Sequence, residues 1–534
     1  MTVFLEIYLT KSKYNYKVYI SFAVHYPILN REDEKMSRNT NCWIGRTAYQ
    51  IMPDRFCKKD ENLEAIPGRI IKEWNDRMPN WQPKTDGEYY NDYFYCGNLR
   101  GITSKLDYLK ELGFDLIYLT PIESSYSNHH YDPGNQLEID QWLGTWTDFA
   151  YMCDQAHERG ILVVVDLVFN HTGIHSIYHE DPKYKDWFKR KPNGEPVYWW
   201  NFKDLTECDT LNPDYQDAMT KVVEKYLRLG ADGIRLDLGE NLPKEFLQAI
   251  GRVKDEYPET IFIGEMWGIA TDKNEEDAKI LDGQLDSVMN YPLADSILRW
   301  VRWGFDGHFK YSFERVYREY PTKVQNVLLN NIATHDTPTT MTMLVGEGMN
   351  GNVFDKQIWD IEAPWRSEDG FDTYGFRKFE CDHDVIEGEK YALAKNLTKI
   401  AIAIMYTIPG IPCIFQGTEI ADTGYKDPFN RKPYQWNKNE QEMKQFVSMM
   451  GTYRHENSDI LGEGEARIIR ADAEVLIIER FIEGGNHIYL AVNRTDAPQS
   501  ITLPDDGNEF KTIYSTDNSS RHELASYGIF IARQ

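Results

Sequence analysis

The chain predicts an α/β fold, a (β/α)8 barrel of the TIM type, followed by an antiparallel β-sandwich. Three observations carry this reading. Eight short, β-rich apolar runs alternate with amphipathic segments that end in glycine, the rhythm of a parallel sheet wrapped by helices. Near His455 that rhythm stops, and VLIIERFI, HIYLAVN and IFIARQ read as short strands instead. The 534 residues exceed one ordinary domain, and a large barrel is the natural use for most of them.

The eight strand candidates are Thr47–Met52, Asp115–Thr120, Ile161–Phe169, Gly233–Asp237, Thr260–Glu265, Gln284–Tyr291, Gln325–Asn330 and Ile411–Gln416. Among the helices, Thr103–Leu112 starts with a threonine cap and precedes Gly113; two others end at Gly160 and Gly230. Two connections exceed ordinary barrel loops. His171 to Asn212 is a Trp- and Pro-containing excursion after the third strand, expected to form a short loop subdomain. Val345 to about Lys390 is acidic and glycine-rich and precedes the last barrel helix. Both follow strand ends, the face on which barrel active sites sit. The second reads equally as a surface insertion. The expected domains are an N-terminal extension (1–42), the barrel with its loop subdomain (43–454, including 171–212) and the sandwich (455–534). In the extension, alternation around Tyr14–Ile20 reads as a strand left from an N-terminal sandwich; alternatively Met36 is the start and the first 35 residues are an appendage.

A formal charge of −25 argues against nucleic acid or an anionic membrane as partner, since both need a basic face, and suits a neutral ligand. The 14 Trp and 34 Tyr fit a carbohydrate binder, since sugar rings present apolar C–H faces to aromatic rings; a large core would use them too. Seven scattered Cys, none in CxxC spacing, indicate neither zinc nor a disulfide framework, and reduced thiols suit a cytoplasmic location. Lys11, Lys13 and Lys17 precede VYISFAV, but that apolar stretch ends at His25 without a small-residue cleavage site, so secretion is not expected. No apolar run reaches the ~18 residues of a membrane span.

The chemistry gathers at strand ends. In Gly233–Asp237, Arg235 and Asp237 share one side of the strand, and the guanidinium is expected to keep Asp237 ionised, as a nucleophile requires. A structural ion pair is the plainer reading. Glu265 closes the next strand among Phe262, Ile263, Met266 and Trp267, surroundings that would keep a proton on a carboxyl group. A helix-capping role is the plainer reading there. Asp166, Asn170 and His171 end the third strand, His335 and Asp336 follow the seventh, and His129 and Tyr131 follow the second. These polar groups are costly to bury unless they bind each other or a ligand. A metal cluster is the rival reading, but neither HExxH nor a two-His-one-carboxylate spacing occurs.

Taken in order, DLVFNH, GIRLD, the Glu of FIGE and the HD pair resemble the motifs of the α-amylase family of glycoside hydrolases (GH13). The resemblance runs from about Trp43 to the C-terminus and includes YQIMPDRF and PGIPCIFQGTEI. It implies Asp237 as nucleophile, Glu265 as general acid/base and Asp336 as transition-state stabiliser. Arg235 would orient Asp237, His171 and His335 would bind sugar hydroxyls, His129 and Tyr131 would contact the same sugar, and Asp166 would support the site. Asn170 matches a position that holds calcium in some members. The excursion lacks an obvious calcium-ligand cluster, so no cofactor is expected. Glu240-Asn241 stands where many starch-degrading amylases carry Lys-His, which is closer to neopullulanase, cyclomaltodextrinase and maltogenic amylase relatives. Thr334 replaces the Asn usual before the HD pair. The implied activity is retaining hydrolysis of α-1,4-linked maltooligosaccharides through a covalent glycosyl-enzyme, with carboxyls about 5–5.5 Å apart. An exo-acting α-glucosidase or a glucan transferase is the alternative, and a non-catalytic carbohydrate-binding protein a distant one.

Overall fold

The structure, a computed structural model, describes residues 3–11, 16–24, 41–59, 64–76, 91–271, 279–280, 283–351, 356–360, 373–504 and 509–534. Two compact units divide at Asn39/Thr40. The first contains one antiparallel hairpin, Val3–Lys11 with Tyr16–Val24. The expected strand around Tyr14–Ile20 is therefore Tyr16–Val24 with a partner; Met36 lies outside the described residues.

In the second unit eight parallel strands form the barrel: β1 (Ala48–Ile51), β2 (Leu116–Leu119), β3 (Leu162–Leu167), β4 (Gly233–Leu236), β5 (Ile261–Gly264), β6 (Ser287–Val288), β7 (Leu329–Asn331) and β8 (Ile411–Phe415). Their order is β6-β5-β4-β3-β2-β1-β8-β7, and a parallel bridge from Met289 to Leu329 closes the ring. Almost every strand residue is buried, as expected for strands covered by helices outside and packed side chains inside. Helix boundaries follow local chemistry. Thr145 and Asp148 form a reciprocal capping box at the start of Trp146–His157, and Gly230, at φ +105°, lets the chain turn back after Pro213–Arg228.

Three boundaries differ from expectation. The seventh strand starts at Leu329, because Thr322–Gln325 winds into a helical turn whose Gln325 side chain donates to the Tyr317 and Tyr320 carbonyls. Thr103 is not a helix cap: it ends the helix Leu99–Thr103, which Asn98 caps through Gly101 N, and a second helix follows at Leu106–Glu111. Helix also persists beyond His455, through Gln441–Glu456 and Ser458–Glu463.

The sandwich then begins: β9 (Glu465–Ala471), β10 (Val475–Phe481), β11 (His487–Asn493), β12 (Lys511–Ser515) and β13 (Ile529–Arg533), in the order β9-β10-β11-β13-β12. One face joins the barrel core through Ile478, Leu490 and Ile531, and buried Arg480 donates to the Thr407 carbonyl at the end of the helix Gly388–Thr407, which precedes β8. The other face closes a separate core of Val475, Tyr489, Leu524 and Phe530 under the strand pair Gln499–Ser500 and Glu523–Leu524. The excursion after β3 is tied down by His171–Gly173 pairing with Leu205–Glu207. Of Val345–Lys390, residues 352–355 and 361–372 lie outside the described residues.

Candidate active site

Parallel register brings the strand ends to one level. Leu236 pairs with Leu167 and with Gly264, so Asp237 and Glu265 are each the next residue along adjacent strands. Their amides continue the ladder, Asp237 N to Leu167 O and Glu265 N to Leu236 O. Arg235, wholly buried, faces the same rim and serves three carboxylates. Its Nη1 donates to both oxygens of Asp166 at 2.9 Å and to Asp237 Oδ1 at 3.0 Å, while Nη2 lies 3.2 Å from Glu265 Oε2. Tyr118 and Tyr131 donate to Asp166 Oδ2, each at 2.7 Å.

One cation among three buried carboxylates cannot hold all of them fully ionised. Burial first and the charge of Glu265 second push Asp237 well above the usual carboxylate range, with Arg235 pulling the other way. This corrects the expectation that Arg235 alone keeps Asp237 charged: its guanidinium is shared, and its strongest contacts go to Asp166. Glu265 is likewise not held by apolar neighbours alone. It accepts from Leu238 N at 2.8 Å and from Trp267 Nε1 at 3.1 Å, so Trp267 acts as a donor here. To present its amide, Leu238 adopts φ +48°, a left-handed conformation that costs a non-glycine residue about 1–2 kcal/mol.

Across the rim from β7, His335 is 2% exposed and Asp336 part-exposed. Gln50 Nε2, at the end of β1, donates to His335 Nδ1 at 2.8 Å, which leaves the ring proton on Nε2, 3.2 Å from Asp336 Oδ2. Burial and the Arg431 and Arg235 charges push His335 well below its usual value, so it is a neutral donor. Tyr131 stacks on it with centroids 5.0 Å apart and planes 3° apart, and His129 is stacked beside Tyr131. His129 Nδ1 accepts from Tyr131 N at 3.0 Å, and burial lowers His129 to about 4. His171 Nε2 donates to the Tyr131 carbonyl at 2.9 Å, and burial lowers it to about 4 also. The nine site residues expected from the sequence, Asp166, Arg235, Asp237, Glu265, His335, Asp336, His129, Tyr131 and His171, thus lie in one connected network. Asn170 lies at its edge, its amide 3.5 Å from His171 Nδ1. Among the described residues no group of three or more His, Cys, Asp or Glu side chains is placed to hold a metal ion.

Sequence reasoning missed the loop after β8. Arg431 donates through Nε to the His335 carbonyl at 2.8 Å and through Nη2 to Asp336 Oδ1 at 3.2 Å; Asn430 donates to the His335 and Thr337 carbonyls. Arg431 also pairs with Asp427 at 3.4 Å. Buried Glu419 pins this loop by accepting from Tyr434 at 2.8 Å and from Tyr49 at 2.6 Å. An Arg following a Pro-Phe-Asn turn behind a barrel strand was the available signal, but its partners stand about 95 residues away.

The alpha amylase, catalytic domain family matches residues 50–358. An amylopullulanase of Thermoanaerobacterium saccharolyticum is 27% identical over 565 residues, 90% of this chain and 41% of that protein, so the chain spans well under half of that relative's length. A maltogenic alpha-amylase of Bacillus acidopullulyticus is 28% identical, with 84% of this chain and 69% of that protein covered. The solved cyclic alpha-maltosyl-(1→6)-maltose hydrolase of Arthrobacter globiformis shares the fold, with a TM-score of 0.72 at 20% identity over 92% of this chain and 98% of that one. With the matched segment covering more than half of the chain and most of the barrel, the chain belongs to the alpha-amylase family.

Proposed function

We propose that this chain is a retaining glycoside hydrolase that cleaves α-1,4-glucosidic bonds of maltooligosaccharides. The observation that carries the reading is the pair of adjacent strand-end carboxylates, Asp237 and Glu265, both beside the Arg235 guanidinium. In the first step Asp237 attacks the anomeric carbon. The glycosidic bond breaks with its electron pair on the leaving oxygen, which takes the proton from Glu265. In the second step water attacks the same carbon, gives its proton to Glu265 and releases Asp237, so two inversions restore the α configuration. The cycle requires Asp237 ionised and Glu265 protonated at the first step, and Asp237 esterified with Glu265 ready to take the proton of water at the second. Asp336, fixed by Arg431 and His335, accepts hydroxyl hydrogen bonds that strengthen as the ring distorts. His129 and Tyr131, both only half-buried, are free to contact the same sugar.

A neutral α-glucan as the ligand agrees with the acidic charge of −25. Among the described residues no helix is long and apolar enough to cross a membrane, and a cytoplasmic location is part of the proposal. Asp237→Asn should abolish turnover of maltooligosaccharides while circular dichroism stays unchanged; retained turnover would refute the nucleophile assignment. Products from a long maltodextrin identify the mode of action. A mixture of short oligomers is expected, whereas glucose alone would replace the endo reading with an exo-acting one.

A further inference from the structure

Beyond the catalytic rim, the excursion after β3 builds an aromatic column. Thr206 pairs with Thr172 on one side and with Tyr198 on the other, so the turn after Tyr198 is tied to the strand that begins at His171. This places Trp199 over His171, with ring centroids 5.2 Å apart and planes 20° apart. Trp200 stacks on Trp199 at 4.6 Å and 11°, and Phe202 lies beside Trp199 at 6.2 Å. The column starts at a His that is 2% exposed and ends at a Trp that is 75% exposed; Phe202 is 56% exposed.

Neither feature of this end is what packing alone would select. Trp200 and Asn201 both have positive φ, +48° and +64°, two consecutive side-chain-bearing residues in a region that L-residues avoid. The turn is held there by Asn201 N donating to Tyr198 O at 3.1 Å and Phe202 N donating to Trp199 O at 2.9 Å. The result keeps an indole in water, where its apolar surface is unfavourable. Backbone strain that serves to expose an aromatic ring points to a ligand contact. The inner face of Trp200 is covered by Trp199, and its outer face remains open.

We propose that Trp200, with Phe202 at the side of the same column, is a sugar-stacking subsite for the extended part of an α-glucan chain, outside the pocket that holds the cleaved bond. The proposal rests on the glucan-hydrolase reading above. A glucosyl ring presents polarised C–H groups on an otherwise neutral face, which the negative face of an indole attracts. The column is also continuous with the catalytic wall: His171 at its base donates to Tyr131 O, and Tyr131 stacks on His335. A long chain therefore reaches Trp200, while a short one fills the pocket alone.

Calorimetry on an Asp237→Asn background, with maltoheptaose and maltotriose as probes, separates the two. Trp200→Ala should weaken maltoheptaose binding about five- to tenfold and change maltotriose by less than about twofold. Trp200→Phe should restore most of the long-chain affinity. Unchanged maltoheptaose affinity overturns the proposal, as does an equal loss for both sugars. So does a fall in sedimentation mass with sugar binding intact, which would assign the rings to a contact between copies of the chain. If the Asp237→Asn parent binds neither sugar and the unaltered chain cleaves neither, the glucan reading itself falls, and the subsite with it.

Discussion

Asp237 is a carboxylate that the site needs and the fold resists. Its folded value is raised by burial and by Glu265. Stability linked to such a group is fully present below the unfolded value of about 3.9 and is lost as pH rises through the folded value. Asp237→Asn removes that loss, so the variant should melt about 1–3 °C higher at neutral pH by calorimetry while being inactive. Its melting temperature should also vary less with pH across the range where Asp237 deprotonates. An Asn variant that melts lower would mean that the Arg235 contact outweighs burial. Arg431 gives a second test at this scale. Arg431→Ala removes a donor to both Asp336 and the His335 carbonyl, and kcat should fall at least tenfold. The strand-end acids were legible in the sequence because each closes an apolar run. Arg431 and Gln50 were not, since their partners lie 95 and 285 residues away and only the closed ring brings them together.

At the scale of elements, the turn after β4 holds Glu265 in place. Leu238 turns left-handed to aim its amide at Glu265, and Gly239 packs against the backbone of β5. A Cβ at Gly239 would stand 2.9 Å from Glu265 N and from Gly264 Cα, both backbone atoms that cannot swing away. Gly239→Ala should therefore displace the end of β5, lowering kcat at least tenfold and stability by about 1–3 kcal/mol in denaturant unfolding. An active, stable Gly239→Ala enzyme would show that this turn is not what positions Glu265. Strands with period-2 burial or continuous Val and Ile were readable to within a residue or two. Two of the three misplaced boundaries, at Thr103 and before Leu329, are places where a side-chain hydrogen bond decided against the apolar pattern: Asn98 onto Gly101, and Gln325 onto Tyr317.

For the whole molecule, the barrel and the sandwich were legible because hydrophobic rhythm changes from helix-strand alternation to short strands alone. The column at Trp199 and Trp200 was not, because two adjacent Trp carry no signal of the left-handed turn that exposes one of them. A buried acid outside the proposed catalytic rim predicts how the molecule responds to pH. Glu123 sits behind the rim, accepts from Tyr226 Oη at 2.9 Å, and is raised by burial to about 7. Its favourable contribution is complete below about pH 4.5 and lost by about pH 7. Glu123→Gln should therefore stabilise the protein at pH 8 by up to about 3 kcal/mol and leave it unchanged near pH 4; denaturant midpoints at the two pH values test this. The most direct test of the central claim, hydrolysis through an Asp237-linked glycosyl-enzyme, is proton NMR of the anomeric signals during the first minutes of maltooligosaccharide cleavage. Retention predicts that new reducing ends appear as the α-anomer and relax toward β afterwards; β-anomer appearing first would contradict the account.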